Sequence, residues 1–100
     1  MIRHVALLTF VDDASAAQID AVEAALWTLP ARIPQLRSYA IGRDLGINAG
    51  NASFAVVAEF ADVADYTAYR DDTEHRRIIA ELIAPILAAR TGAQYEIPDA

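Results

Sequence analysis

Ile2 to Phe10 (IRHVALLTF) reads as a strand, its side chains falling alternately on two faces. His4, Ala6, Leu8 and Phe10 share one face of it, and Arg3, Val5, Leu7 and Thr9 the other. Both faces carry large aliphatics, so the strand is expected to be covered on both sides. After Asp12-Asp13-Ala14 the period changes. Ile19, Val22, Leu26 and Leu29 recur at steps of three and four, the single apolar stripe of a helix. Ser15 and Gln18 stand ahead of that stripe with the spacing of a capping box, each side chain able to bond the other's backbone N–H. Trp27 borders the stripe, and Pro30 and Pro34 are expected to end the helix.

Leu36 to Arg43 (LRSYAIGR) reads as a second strand, and Asp44 to Ser53 (DLGINAGNAS) as a connecting loop. That loop lacks the glycine spacing of a phosphate or dinucleotide loop. Phe54 to Phe60 (FAVVAEF) is the third strand: Phe54, Val56, Ala58 and Phe60 make a wholly apolar face, opposite Ala55, Val57 and Glu59. Asp62 caps a short helix to about Tyr69. Asp71-Asp72 interrupts it, and Thr73 is the expected cap of a second helix. Ile78, Ile79, Leu82, Ile83, Ile86 and Leu87 give that helix a broad apolar face. Pro85 should kink or divide it, Thr91-Gly92 should end it, and Ala93 to Ile97 is left as a short last strand.

The order strand, helix, strand, strand, split helix, strand is the ferredoxin-like βαββαβ motif. It implies an α+β fold with a four-stranded antiparallel sheet, one domain over residues 1–100. Strand three should lie antiparallel beside strand one, with the helices on one sheet face only. The opposite face carries Val5, Leu7, Ala55 and Val57, too apolar to be left in water. A second copy laying the same face against it would close a dimeric α/β barrel, so a homodimer is expected through these residues.

Composition sharpens this. The chain is 55% hydrophobic with a formal net charge of -6, which excludes a disordered chain and leaves no basic footprint for nucleic acid. It has no cysteine, hence no disulfide, thiol nucleophile or thiolate metal site. No apolar run approaches the ~20 residues that span a bilayer, and no signal peptide is read at the start. A cytoplasmic protein without a membrane partner is the expectation.

Proton-transfer chemistry is concentrated in Tyr69-Arg70-Asp71-Asp72-Thr73-Glu74-His75. Along one continuous helix Tyr69 and His75 would diverge by about 240°; the Asp71-Asp72 break lets them converge. His4, on the helix-facing side of the first strand, should lie at the same end. An imidazole with a pKa of about 6.5 suits removal of a proton next to a carbonyl at neutral pH. A helix start disfavours the charged form of His75 and the neighbouring carboxylates favour it, which leaves the sign of its shift open. The plainer readings are a histidine in a polar corner, a tyrosine at the core edge and a strand histidine satisfied by backbone. Two histidines without a nearby carboxylate or third imidazole give no metal site. Leu8, Val22, Leu26, Val56 and Ile78 are the expected apolar, substrate-binding walls.

The chain resembles the stress-responsive α/β-barrel, or Dabb, family of dimeric ferredoxin-like proteins over essentially its whole length. The resemblance rests on HVALLTF with His4, on Ile33-Pro34 leading into a strand that ends Gly42-Arg43-Asp44, on Glu59-Phe60, and on Tyr69 six residues before His75. It implies a dimeric barrel and, in members that are cofactor-free polyketide cyclases, His75 as general base, Tyr69 as the residue that positions or polarises the substrate carbonyl, and His4 as a pocket group. The family often writes His-Pro-x-His where this chain has Asp72-Thr73-Glu74-His75, and Phe54 stands where a cyclase carries a further histidine. The resulting function is a cofactor-free cyclase, isomerase or lyase acting on a small apolar carbonyl compound. The alternative is a non-catalytic stress-responsive dimer or hydrophobic-ligand binder. No motif favours the third option, a cofactor-independent monooxygenase.

Overall fold

The computed structural model describes residues 1–99. Strand β1 (Ile2–Phe10) leads through helix α1 (Ala16–Leu26) and a one-turn helix α2 (Leu29–Arg32) to β2 (Ser38–Arg43), then β3 (Phe54–Phe60). Helices α3 (Val63–Asp71) and α4 (Thr73–Ile78) follow, then a π-helical turn (Ile79–Ile83), a 3-10 turn (Ala84–Ile86) and β4 (Leu87–Glu96). The four strands form one sheet in the order β2-β3-β1-β4, and all three neighbouring pairs are antiparallel. This is the ferredoxin-like α+β fold.

The alternation in β1 and β3 decides which side chains enter the core. His4, Ala6, Leu8 and Phe10 are buried under the helices with Phe54, Val56, Ala58 and Phe60. Val5, Ala55 and Val57 on the opposite face are only half-buried, and Leu7 is exposed. Helix α1 starts as its sequence requires. The Gln18 amide N–H donates to Ser15 Oγ at 3.1 Å, and the Ser15 amide donates to Gln18 Oε1 at 2.9 Å. Val22, Leu26 and Leu29 then close over the sheet.

Four boundaries differ from the sequence reading. Pro30 does not end a helix; it sits in the first turn of α2, where the N–H it lacks would go unbonded anyway. Strand β2 begins at Ser38 rather than Leu36. The cap of α4 is Asp72, whose Oδ2 accepts from the Glu74 and His75 amides, both at 3.0 Å. Thr73 instead offers its Oγ1 to Arg32 Nη2 at 3.0 Å. The largest correction is at the C-terminal end. The helical segment stops at Ile86, and Leu87–Glu96 forms a ten-residue strand through Thr91-Gly92. Pro85 breaks the helix ladder, and β1 then offers pairing partners from Phe10 opposite Leu87 to Ile2 opposite Glu96. Long-range pairing overrides the helical propensity of Leu87-Ala88-Ala89-Arg90.

Candidate functional site

The break between α3 and α4 builds the site. Asp72 leaves helical geometry (φ −57, ψ 134) and caps α4, while Arg32 Nε on α2 donates to its Oδ2 at 3.0 Å. The chain thereby turns sharply between Tyr69 and His75. Their rings are in contact, centroids 4.1 Å apart and planes tilted by 35°. His4, reaching from β1, sits 5.1 Å from the Tyr66 ring and 6.1 Å from the Tyr69 ring. All three residues line one cavity of about 380 Å3, a volume in the range of small-molecule sites.

Each imidazole is held by its Nδ1. That of His75 lies 3.2 Å from the Arg70 carbonyl oxygen, which can only accept, so the neutral ring carries its proton on Nδ1 and its lone pair on Nε2. That of His4 accepts from Gln94 Nε2 at 2.8 Å, which puts the proton of the neutral ring on Nε2. Among the described residues no side-chain nitrogen or oxygen sealed from solvent lacks a partner. Neither histidine Nε2 makes a hydrogen bond among the described residues, and both rings line the cavity. One ring offers an acceptor and the other a donor.

Electrostatics keeps both rings neutral. Burial, with smaller contributions from the Arg90 charge and from His75, pushes His4 down to about 4. Burial also lowers His75, opposed by its hydrogen bond to the Arg70 carbonyl and by the Asp72 carboxylate. Desolvation thus decides the sign that the sequence leaves open. Tyr69 is pushed up, chiefly by burial, and its hydroxyl shares a 3.2 Å hydrogen bond with that of Tyr39.

Of the apolar positions expected to wall the pocket, Leu8, Leu26 and Val56 line it. Val22 and Ile78 do not. Both are fully buried (0% exposed) in the core beneath, where a side chain meets its neighbours and no ligand. Sequence reasoning missed Tyr66, Arg70, Ile79, Ile83, Leu87 and Arg90 in the lining. It also missed Tyr39 and Gln94 as partners of Tyr69 and His4. Once β4 is paired with β1, the register signals Gln94 directly, since it lies opposite His4. No group of three or more metal-ligating side chains occurs among the described residues.

A four-stranded antiparallel sheet carrying helices on one face, with paired imidazoles in a pocket beneath them, defines a ferredoxin-like α+β protein with a candidate small-molecule site. The chain belongs to the stress responsive A/B barrel domain (Dabb) family, whose model matches residues 2–97. A dimeric ferredoxin-like protein of unknown function from Thermobifida fusca YX is 45% identical with a TM-score of 0.89, the match covering 96% of this chain and 90% of that one. A hydroxynitrile lyase from Passiflora edulis is 22% identical with a TM-score of 0.83, covering 99% and 94%, a likeness of fold alone. A Dabb family protein from Mesorhizobium loti MAFF303099 is 19% identical with a TM-score of 0.79, covering 98% and 97%. No curated protein matches the chain. Among the described residues no helix is long and apolar enough to cross a membrane.

Proposed function

We propose that the cavity binds a small apolar carbonyl compound and that His75 Nε2 removes a proton from the carbon next to the carbonyl. The observation that carries this reading is the tautomer of His75. Its Nδ1–H faces the Arg70 carbonyl, and the free Nε2 opens into a largely apolar pocket. Burial keeps the ring unprotonated at neutral pH, the state a general base needs. In the step, the C–H electron pair becomes the enolate π bond and the proton goes to Nε2. The His4 Nε2–H and the Tyr69 hydroxyl are the donors for the carbonyl oxygen as it gains charge. Returning the proton to the same or another carbon completes an isomerisation, and attack of the enolate carbon on a second carbonyl of the same molecule closes a ring. One cavity reaches both Tyr69 and His75, as this chemistry requires.

The working unit of this reading is a homodimer through Val5, Leu7, Ala55 and Val57. That face is incompletely covered within one protomer, and the relative at 45% identity is dimeric. The test of the chemistry is exchange of the α-protons of methyl hexyl ketone in D2O, followed by NMR. The wild-type protein is expected to accelerate exchange, and His75→Ala, folded by circular dichroism, to lose roughly 100-fold or more of that acceleration. Equal exchange by the two proteins removes His75 as the base.

A further inference from the structure

We propose that the ligand is an anionic carbonyl compound, a small oxo carboxylate with an apolar tail, and that the Arg90 guanidinium holds its carboxylate. The carbonyl end rests on the function proposed above; the anion site rests on Arg90 itself. Every cationic side chain of the sequence other than histidine is an arginine, eight in all. Arg3, Arg32, Arg43, Arg70, Arg76 and Arg77 each face a carboxylate, and Arg37, which has no ion pair among the described residues, stands outside the cavity lining. Arg90 makes no ion pair and no side-chain hydrogen bond among the described residues, yet it lines the cavity with His4, Tyr69 and His75. The other arginine in the lining, Arg70, is committed to Asp71 at 2.9 Å. A chain with a net charge of -6 has carboxylates to spare, and it leaves this one guanidinium of the cavity unmatched.

Gly92 aims that charge. A Cβ at Gly92 would fall 2.9 Å from Arg90 Nη1 and 3.1 Å from Nη2, so the guanidinium occupies the space that the absent side chain leaves. Arg90 lies opposite Leu8 and Gly92 opposite Ala6, and His4 is the next inward residue of β1. The guanidinium therefore folds back along β4 over Gly92, on the His4 side of the strand, while the residue itself stays exposed at the cavity mouth. Its field is felt there, since Arg90 contributes to lowering both His4 and His75. A planar guanidinium matches a carboxylate through two parallel N–H donors. Leu8, Leu26, Val56 and Ile83 supply the apolar wall for a short alkyl tail.

The experiment compares α-oxooctanoate with methyl hexyl ketone, the same tail without the carboxylate, by calorimetric titration at neutral pH. Wild type is expected to bind the oxo acid about tenfold or more tightly than the ketone. Arg90→Gln should lose that preference, and Arg90→Lys should recover part of it. Equal affinity for both probes, a preference that survives in Arg90→Gln, or binding of neither probe overturns the proposal. Exchange of the ketone's α-protons separates the two claims. If exchange depends on His75 and no carboxylate preference exists, the anion site falls and the base stands. If the preference exists without exchange, the base falls and the anion site stands.

Discussion

Acidification between pH 7 and about 5 should destabilise this protein through its buried histidines, and the His4→Leu variant isolates the larger share. In the folded chain His4 titrates at about 4, against an ordinary value of 6.5 for the unfolded chain. A base with a depressed folded pKa contributes stability that is fully present above its unfolded pKa. That stability is lost as pH falls from there toward the folded pKa, because the unfolded chain binds the extra proton first. The gap is worth about 3 kcal/mol when fully expressed. Working above the sequence pI near 4.6 avoids isoelectric precipitation. Between pH 7 and about 5.2 the linkage relation gives a loss of roughly 1.5 kcal/mol from His4. His75 adds to it with the same sign. Asp71 and Asp72, whose pKa values are lowered, shed their contributions mainly below this window. Urea unfolding at one fixed protein concentration, at several pH values, measures the slope. Wild type should lose more than His4→Leu by about the His4 share. Parallel pH profiles would refute a buried, neutral His4.

Three further outcomes follow from the same geometry. Asp72→Ala removes the acceptor of two backbone N–H groups at the start of α4 and the partner of Arg32. It should cost about 1–2 kcal/mol in urea unfolding, with Asp72→Asn recovering part; no loss would contradict the cap. Ile78→Ala should cost about 2–5 kcal/mol because Ile78 is wholly buried. Ile79→Ala, 40% exposed at the cavity wall, should cost less than half as much, and the reverse order would contradict their placement. Leu7→Asp sets an unpaired carboxylate on the proposed dimer face, a burial costing several kcal/mol. Light scattering should then report a monomer where wild type is a dimer; an unchanged dimer, or a wild-type monomer at micromolar concentration, would rule out that face.

Periodicity in the sequence is enough to find β1, β3 and the helical side of the sheet, because burial follows alternation directly in His4, Ala6 and Leu8 and in Phe54, Val56 and Ala58. The capping box of α1 is local, so its spacing alone reveals it. The break at Asp71-Asp72 is equally local, and it correctly brings Tyr69 and His75 together. What the sequence does not show depends on partners far along the chain. Leu87-Ala88-Ala89-Arg90 has the composition of a helix and becomes a strand only because β1 pairs with it. That misreading hides Arg90, whereas Gln94 lies in the strand expected over Ala93 to Ile97 and only its register against β1 sets it opposite His4. The cap falls on Asp72 rather than Thr73 because Arg32, forty residues earlier, binds both side chains. The sign of the His75 shift is likewise a matter of burial, which no local spacing encodes.

The claim on which the proposed chemistry turns is that His75 is a neutral imidazole with its proton on Nδ1 and a free Nε2. Long-range 1H–15N correlation NMR of the histidine side chains over a pH titration reports this directly. The expected result is an Nδ1–H tautomer for His75 at pH 7, titrating below its ordinary 6.5. An imidazolium at pH 7, or a proton fixed on Nε2, would contradict it.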